Sequence, residues 1–280
     1  MRVLGIDIGG TSVKAAVMVG DRVEGQASSG RYSRPDLAAL VGAIREAVHG
    51  CGANGTGRTG GAGFEAVGLC VPGRRDETGL CVVASVNVPA VVGQRLDALV
   101  AAALGDRAEV DSSGNRDALV VTSDAHAAAV DLAARLAPAP DGPRRLLAIS
   151  LGTGVGACVL DGMSGLRVSG ESPGHFGQID VSVALADGTV PVGPDGGRGG
   201  LEAYVGLPAL LKRLGGPAET LMERVDVGDV ALVALARAIR IGHAVYRPHT
   251  VGLMGGVGVG LARHAGVLRA MVDDGLTNVA

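Results

Sequence analysis

Apolar positions fall into two rhythms along this chain. Short runs in which every second or nearly every residue is apolar alternate with longer stretches in which apolar residues return every three or four positions, the strand and helix periods respectively. Residues 2–8 (RVLGIDI) and 12–19 (SVKAAVMV) read as strands joined by the turn Gly9-Gly10-Thr11, with 22–29 as a third strand. Leu37, Leu40, Val41 and Ile44 share one helical face, which predicts a helix over 35–48 with Pro35 near its first turn. Further strands are expected at 66–71, 80–86 and 118–122, and helices at 94–104 and 124–136. After a Pro-rich break at 138–143 come strands at 145–151 and 155–160 around Gly152-Thr153-Gly154, helices at 201–213 and 228–246, a strand at 249–254 and a helix at 258–274.

The second half therefore opens as the first does, with strand, glycine–threonine turn and strand. The repeat lies about 145 residues downstream, the mark of a duplicated supersecondary unit. Strands alternating with helices throughout predict an α/β fold. The glycine-rich stretch 50–63 (GCGANGTGRTGGAG) cannot bury a core, lacks the GK[ST] ending of a phosphate loop, and is expected to be a surface loop.

Composition narrows the classes. The 280 residues suffice for one large domain or two lobes. With aromatic residues at 2 % and 47 glycines, packing falls to Val, Leu, Ala and close backbone approach. A net charge of −3 gives no basic footprint for nucleic acid. No apolar run approaches a membrane span. Cys51, Cys70, Cys81 and Cys158 form no CxxC pair and imply no disulfide framework, which suits a reducing, cytoplasmic setting. The chain begins Met-Arg and runs at once into a strand, with no signal-peptide pattern.

The turns carry the chemistry. In GIDIGGTSVK, Gly9 and Gly10 let backbone N–H groups approach a phosphate without a Cβ in the way, the Thr11 hydroxyl adds a donor, and Asp7 can hold Mg²⁺ directly or through water. Gly152, Thr153 and Gly154 repeat that logic. Gly255-Gly256, between a strand and a helix, can lie against a nucleoside. Asp124 stands where a helix begins, a place a carboxylate also occupies simply to cap free N–H groups.

The order DxGGT, GTG and late GG resembles the phosphate-1, phosphate-2 and adenosine motifs of the actin, Hsp70 and sugar-kinase superfamily. Over most of its length the chain is similar to the ROK family. GLCVPGRRDETG (68–79) resembles the family's GxxxPGxxD segment, and SVNVPAVVGQRL (85–96) its Asn-Leu-Pro-x-Trp stretch without the Trp. SDAHAAA (123–129) resembles Asn-Asp-Ala-Asn-Ala-Ala, and GLEAYVG (200–206) resembles the Gly-Cys-Leu-Glu segment. The resemblance implies a two-lobed ribonuclease H-like (actin-like ATPase) fold with a cleft site, residues 1–123 forming the first lobe and 124–280 the second, the last helix returning to the first. It also implies an ATP- and Mg²⁺-dependent kinase acting on a sugar or polyol hydroxyl. Asp124 would be the general base, Glu202 would bond a sugar hydroxyl, and Gly73 would line the acceptor pocket. A homodimer is the oligomer it implies. The DNA-reading helix-turn-helix of the ROK repressors is not expected, since the chain opens on the first strand.

Several positions depart from that pattern. The family's zinc-binding His and three Cys correspond to Gln178, Gly193, Asp195 and Gly200, so no structural zinc is expected. The family Glu of the sugar pocket is His175, and the Asn before the catalytic Asp is Ser123; with Gln178 these alter the acceptor side. The segment after Gly256 is also shorter than the family's. These changes keep a rival reading open, a non-catalytic nucleotide- or sugar-binding protein.

Overall fold

The computed structural model describes residues 1–52, 64–105, 119–136, 144–168 and 173–276. Most of the glycine-rich stretch 50–63 and the break at 138–143 lie outside the described residues. The chain divides into two units, residues 1–127 and 128–280.

In the first unit, β1 (Arg2–Ile8), β2 (Val13–Val19) and β3 (Arg22–Ser28) form an antiparallel meander. β4 (Ala66–Cys70) and β7 (Leu119–Thr122) extend it in parallel on the other side of β1, giving the order β3-β2-β1-β4-β7. Alternation decides which face is buried. Leu4, Ile6 and Ile8 of β1, Val13, Ala15 and Val17 of β2, and Val67 and Leu69 of β4 point to one side. There they meet Leu40, Ile44, Ala47 and Val48 of α1 (Leu37–Gly50). Each such aliphatic side chain contributes about 1.5–3 kcal/mol on burial, so this face is the main stabiliser of the unit. Asp36 caps α1 by accepting from the Ala39 N–H at 2.8 Å, so Pro35 precedes the cap rather than entering the first turn. The expected strand 80–86 shrinks to β6 (Val82–Ala84), which pairs with the two-residue β5 (Arg74–Arg75). It runs into a 3₁₀ turn at Pro89–Val91 and then α2 (Leu96–Leu104). The Trp position of the resembling stretch is Val91, fully buried, so a smaller side chain fills that core site.

The second unit repeats the plan. β8 (Arg145–Leu151), β9 (Val155–Asp161) and β10 (Ser164–Gly165) form an antiparallel meander, and β11 (Thr250–Met254) lies parallel to β8, giving β10-β9-β8-β11. In both sheets the strand before the glycine turn is flanked by its hairpin partner on one side and a parallel strand on the other. α3 (Asp124–Leu136) follows β7, and its Ala129 and Ala133 pack on Leu146, Ala148, Cys158 and Leu160. The opposite face receives α6 (Val230–Tyr246), whose small residues allow close approach: a Cβ on Gly242 would stand 2.6 Å from Leu147.

The expected helix 201–213 is two helices, α4 (Glu202–Val205) and α5 (Leu207–Leu214). Gly206 sits extended (φ −63°, ψ 139°) before Leu207-Pro208, where the proline has no N–H to continue the ladder. The last expected helix is also segmented, into α7 (Gly255–Gly260), a 3₁₀ turn at Leu261–His264, and α8 (Ala265–Asp274). Leu268 and Val272 of α8 are buried in the core that contains α6. Among the described residues no helix is long and apolar enough to cross a membrane.

Candidate active site

The first unit gathers its polar groups where three parallel strands end. Asp7, Cys70 and Thr122 are neighbours in register across β1, β4 and β7, and Ser123 and Asp124 follow directly at the head of α3. The cap of α3 is Ser123: its Oγ accepts from the His126 N–H at 3.2 Å, and its carbonyl accepts from Ala127. Asp124 is thus not needed as the cap. Its carboxylate is exposed, and Oδ1 accepts from the Ala125 N–H at 2.7 Å. Asp7 is half-buried. Burial raises its pKa above the ordinary carboxylate range, the facing Lys14 of β2 offsets part of that, and the Asp124 charge raises it further. Two carboxylates that feel each other's charge, one on β1 and one at the head of α3, therefore stand where these strands end. Among the described residues the Thr122 Oγ1, buried beside them, finds no hydrogen-bond partner.

Between β1 and β2 the turn closes when the Gly9 N–H donates to the Ser12 carbonyl at 3.0 Å. A Cβ on Gly9 would stand 2.9 Å from that oxygen, so the turn needs glycine there. Among the described residues, the N–H groups of Gly10, Thr11 and Ser12 donate to no protein acceptor. Three consecutive unspent backbone donors are thereby left available to an anion such as phosphate. Gly73 shapes the neighbouring wall. Its φ of +117° and the closeness of the Ala84 carbonyl exclude a side chain, and this packing leads residues 84–87 back to the turn. Asn87 ends up against Gly10, its Cβ 3.4 Å from where a Gly10 Cβ would be. Neither Asn87 nor Tyr32, which bonds to the turn from the other side, was a sequence-derived candidate. Asn87 had a signal in the Asn-Val-Pro segment, whereas nothing local marked Tyr32.

The second unit builds a matching turn. Gly152 N–H donates to the Gly154 carbonyl at 3.0 Å, and Leu207 N–H donates to the Gly152 carbonyl at 2.8 Å. The N–H groups of Thr153 and Gly154 have no protein acceptor among the described residues. Glu202, the first residue of α4, lies against this turn. Its Oε2 accepts from the Val155 N–H at 2.9 Å, and a Cβ on Gly154 would be only 3.0 Å from that oxygen. Gly177 packs against both Val155 and Glu202, which carries the 3₁₀ turn Phe176–Gln178 to the same place, with His175 exposed at its head. Gln178 is exposed as well, and its N–H donates to the His175 carbonyl at 2.9 Å. Gly255, at φ +77°, presses on the Leu151 carbonyl just ahead of the turn, while Gly256 faces open space.

The positions aligned with the family's zinc ligands lie in a system of turns. Gly200 lies against Gln178, and Gly193 donates to the Gly197 carbonyl at 2.7 Å around Asp195, whose Oδ1 accepts from the Gly197 N–H. Among the described residues no three His, Cys, Asp or Glu side chains converge on a metal position. Mg²⁺ places a lighter demand, since one or two carboxylates complete its shell together with phosphate oxygens and water. Asp7, which leads into the turn with the unspent N–H groups, fits that requirement.

A strand–glycine turn–strand unit repeated in both halves of an α/β chain is the plan of an actin-like ATPase fold. The chain belongs to the ROK family, whose model matches residues 3–260. Solved structures agree. The ROK hexokinase from Thermus thermophilus aligns at 23 % identity and TM-score 0.61, covering 98 % of this chain and 88 % of its own. The ROK glucokinase from Streptomyces griseus, solved with glucose and AMPPNP, aligns at 22 % and 0.65, covering 97 % and 90 %. A ROK transcriptional regulator, a homolog of the E. coli MLC protein, aligns at 19 % and 0.70, covering 99 % of this chain and 71 % of its own. No curated protein matches the chain.

Proposed function

We propose that this protein is an ATP-dependent carbohydrate kinase that transfers the γ-phosphate to a hydroxyl of a sugar or sugar-like polyol. The observation that carries this reading is the set of unspent N–H groups at Gly10, Thr11 and Ser12 beside the carboxylates of Asp7 and Asp124. Phosphoryl transfer asks mainly for positioning and charge neutralisation, and these groups supply both. Asp124, exposed and free of the capping duty, accepts the proton of the attacking hydroxyl as its oxygen bonds to the γ-phosphorus and ADP leaves. Mg²⁺, when bound, would neutralise charge on the phosphates, and Asp7 is the residue that would hold it, directly or through water. The N–H groups of Gly10, Thr11 and Ser12 receive donor phosphates in the first unit and those of Thr153 and Gly154 do so in the second, while Gly9 and Gly152 close the two turns and Gly255 and Gly256 lie against the nucleoside. On this reading Gly73 and Ser123 of the first unit, and His175, Gln178 and Glu202 of the second, are the residues assigned to binding the acceptor. The sugar-kinase relatives support the reaction class, including a glucokinase solved with glucose and a nucleotide analogue. The reading places the protein in the cytoplasm, as the scattered cysteines of the sequence suggest.

A second reading, a nucleotide- or sugar-binding protein without turnover, draws on the engagement of Ser123 Oγ with α3 and of Glu202 Oε2 with Val155. Incubation with Mg-ATP and a panel of hexoses, N-acetylhexosamines and polyols, with mass spectrometry of the products, separates the two. A phosphorylated acceptor supports the kinase, whereas ATP binding without any product supports the binding protein.

A further inference from the structure

Tyr32 sits beyond the end of β3, far in sequence from the phosphate-1 turn, yet it touches that turn twice. Its hydroxyl donates to the Gly9 carbonyl at 2.6 Å, and its backbone N–H donates to the Thr11 carbonyl at 2.9 Å. A peptide group is planar, with its C=O and N–H pointing in opposite directions. The Gly9 carbonyl shares its peptide with the Gly10 N–H, and the Thr11 carbonyl shares its peptide with the Ser12 N–H. Fixing the two carbonyls on the Tyr32 side therefore turns the two flanking donors of the anion site the other way. We propose that Tyr32 is a positioning residue for the donor phosphates, holding the Gly10 and Ser12 N–H groups in their binding orientation. This rests on the kinase reading for the identity of the anion, though not for the brace itself.

The brace is anchored. Ser29, 8 % exposed, donates from its N–H to the Val13 carbonyl at 2.8 Å, and its Oγ accepts from the Val13 N–H at 3.0 Å. Gly30 N–H donates to Glu46 of α1 at 3.1 Å. The Tyr32 ring packs against the first-unit core, which fixes the hydroxyl in place. Burial and the nearby Asp7 charge push the hydroxyl pKa up to about 12, so it remains a donor through the working pH range.

Tyr32→Phe removes the hydroxyl while keeping the ring and the backbone N–H. Losing one hydrogen bond of this kind is worth about a five- to tenfold change in an equilibrium. In the variant, Kd for Mg-AMPPNP and KM for ATP are expected to rise by about that factor, with KM for the acceptor unchanged. Hydrogen exchange of the segment 9–13 in ligand-free protein is expected to accelerate, with the β8–β9 segment unaffected. Tyr32→Ala should enlarge both effects. Unchanged exchange at 9–13 together with unchanged nucleotide affinity overturns the proposal, as does an equal rise in both KM values with a general loss of protection. Should wild type bind no Mg-AMPPNP, the kinase reading and the phosphate role fall together. The exchange comparison then decides the brace alone.

Discussion

Glu202 holds the second glycine turn through its Oε2, which accepts from the Val155 N–H at 2.9 Å. A carboxylate placed there fixes the strand end that follows Gly154, and the proposed kinase reading assigns its Oε1 to an acceptor hydroxyl. Glu202→Gln retains an acceptor oxygen, so kcat/KM should fall about tenfold, while Glu202→Ala orphans the Val155 N–H and should cost about 100-fold or more. Steady-state kinetics varying ATP and acceptor separately read the result. A rise in acceptor KM alone would limit Glu202 to sugar binding, and a change in ATP KM alone would limit it to the turn.

Asp7 predicts a pH-dependent trade of stability for function. Its folded pKa is raised, chiefly by burial, so the folded state holds a proton more tightly than the unfolded state. Stability from this group is therefore lost as pH rises from the ordinary value of 3.8 through the raised one, and returns as pH falls. Asp7→Asn should raise Tm of the ligand-free protein at pH 7 by about 2 °C, with the gain vanishing near pH 4, while Mg-nucleotide binding is lost. A lower Tm at pH 7 would mean that the attraction of Lys14 outweighs the burial cost.

Gly255 and Gly256 are adjacent but constrained differently. Alanine at Gly255 meets both φ +77° and the Leu151 carbonyl, so Gly255→Ala should lose at least about 1–3 kcal/mol of stability, visible as a drop of several degrees in Tm. Gly256 faces open space, so Gly256→Ala should fold normally and weaken nucleotide binding instead. Equal Tm values for the two variants would contradict this division.

Much of the scaffold was legible because strand alternation and helix spacing report burial directly. The paired strands around Gly9–Thr11 and Gly152–Gly154 were read from the sequence almost to their ends, as was α6. The helix at 201–213 was not, since apolar spacing continues across Gly206-Leu207-Pro208 while the backbone cannot. The strand at 80–86 was overread because its apolar residues feed a turn and the Val91 core site rather than a ladder. At the candidate site, the glycine turns and Asp124 were marked by short motifs. Tyr32 and Asn87 were invisible to spacing, because their contacts with the first turn are tertiary. The attachment of Glu202 to Val155, 47 positions apart, has the same origin.

The central claim rests on Asp124 as the base. Wild type and Asp124→Asn are compared for ADP release with Mg-ATP and each acceptor of the panel, with Mg-AMPPNP affinity and Tm measured on both. The account predicts acceptor-stimulated ADP release in wild type and a loss of about 10²–10⁴-fold in kcat in the variant, with nucleotide affinity and Tm nearly unchanged, because the side chain is exposed. Equal acceptor-stimulated rates in the two proteins, or nucleotide binding with no acceptor-dependent release in either, would contradict it.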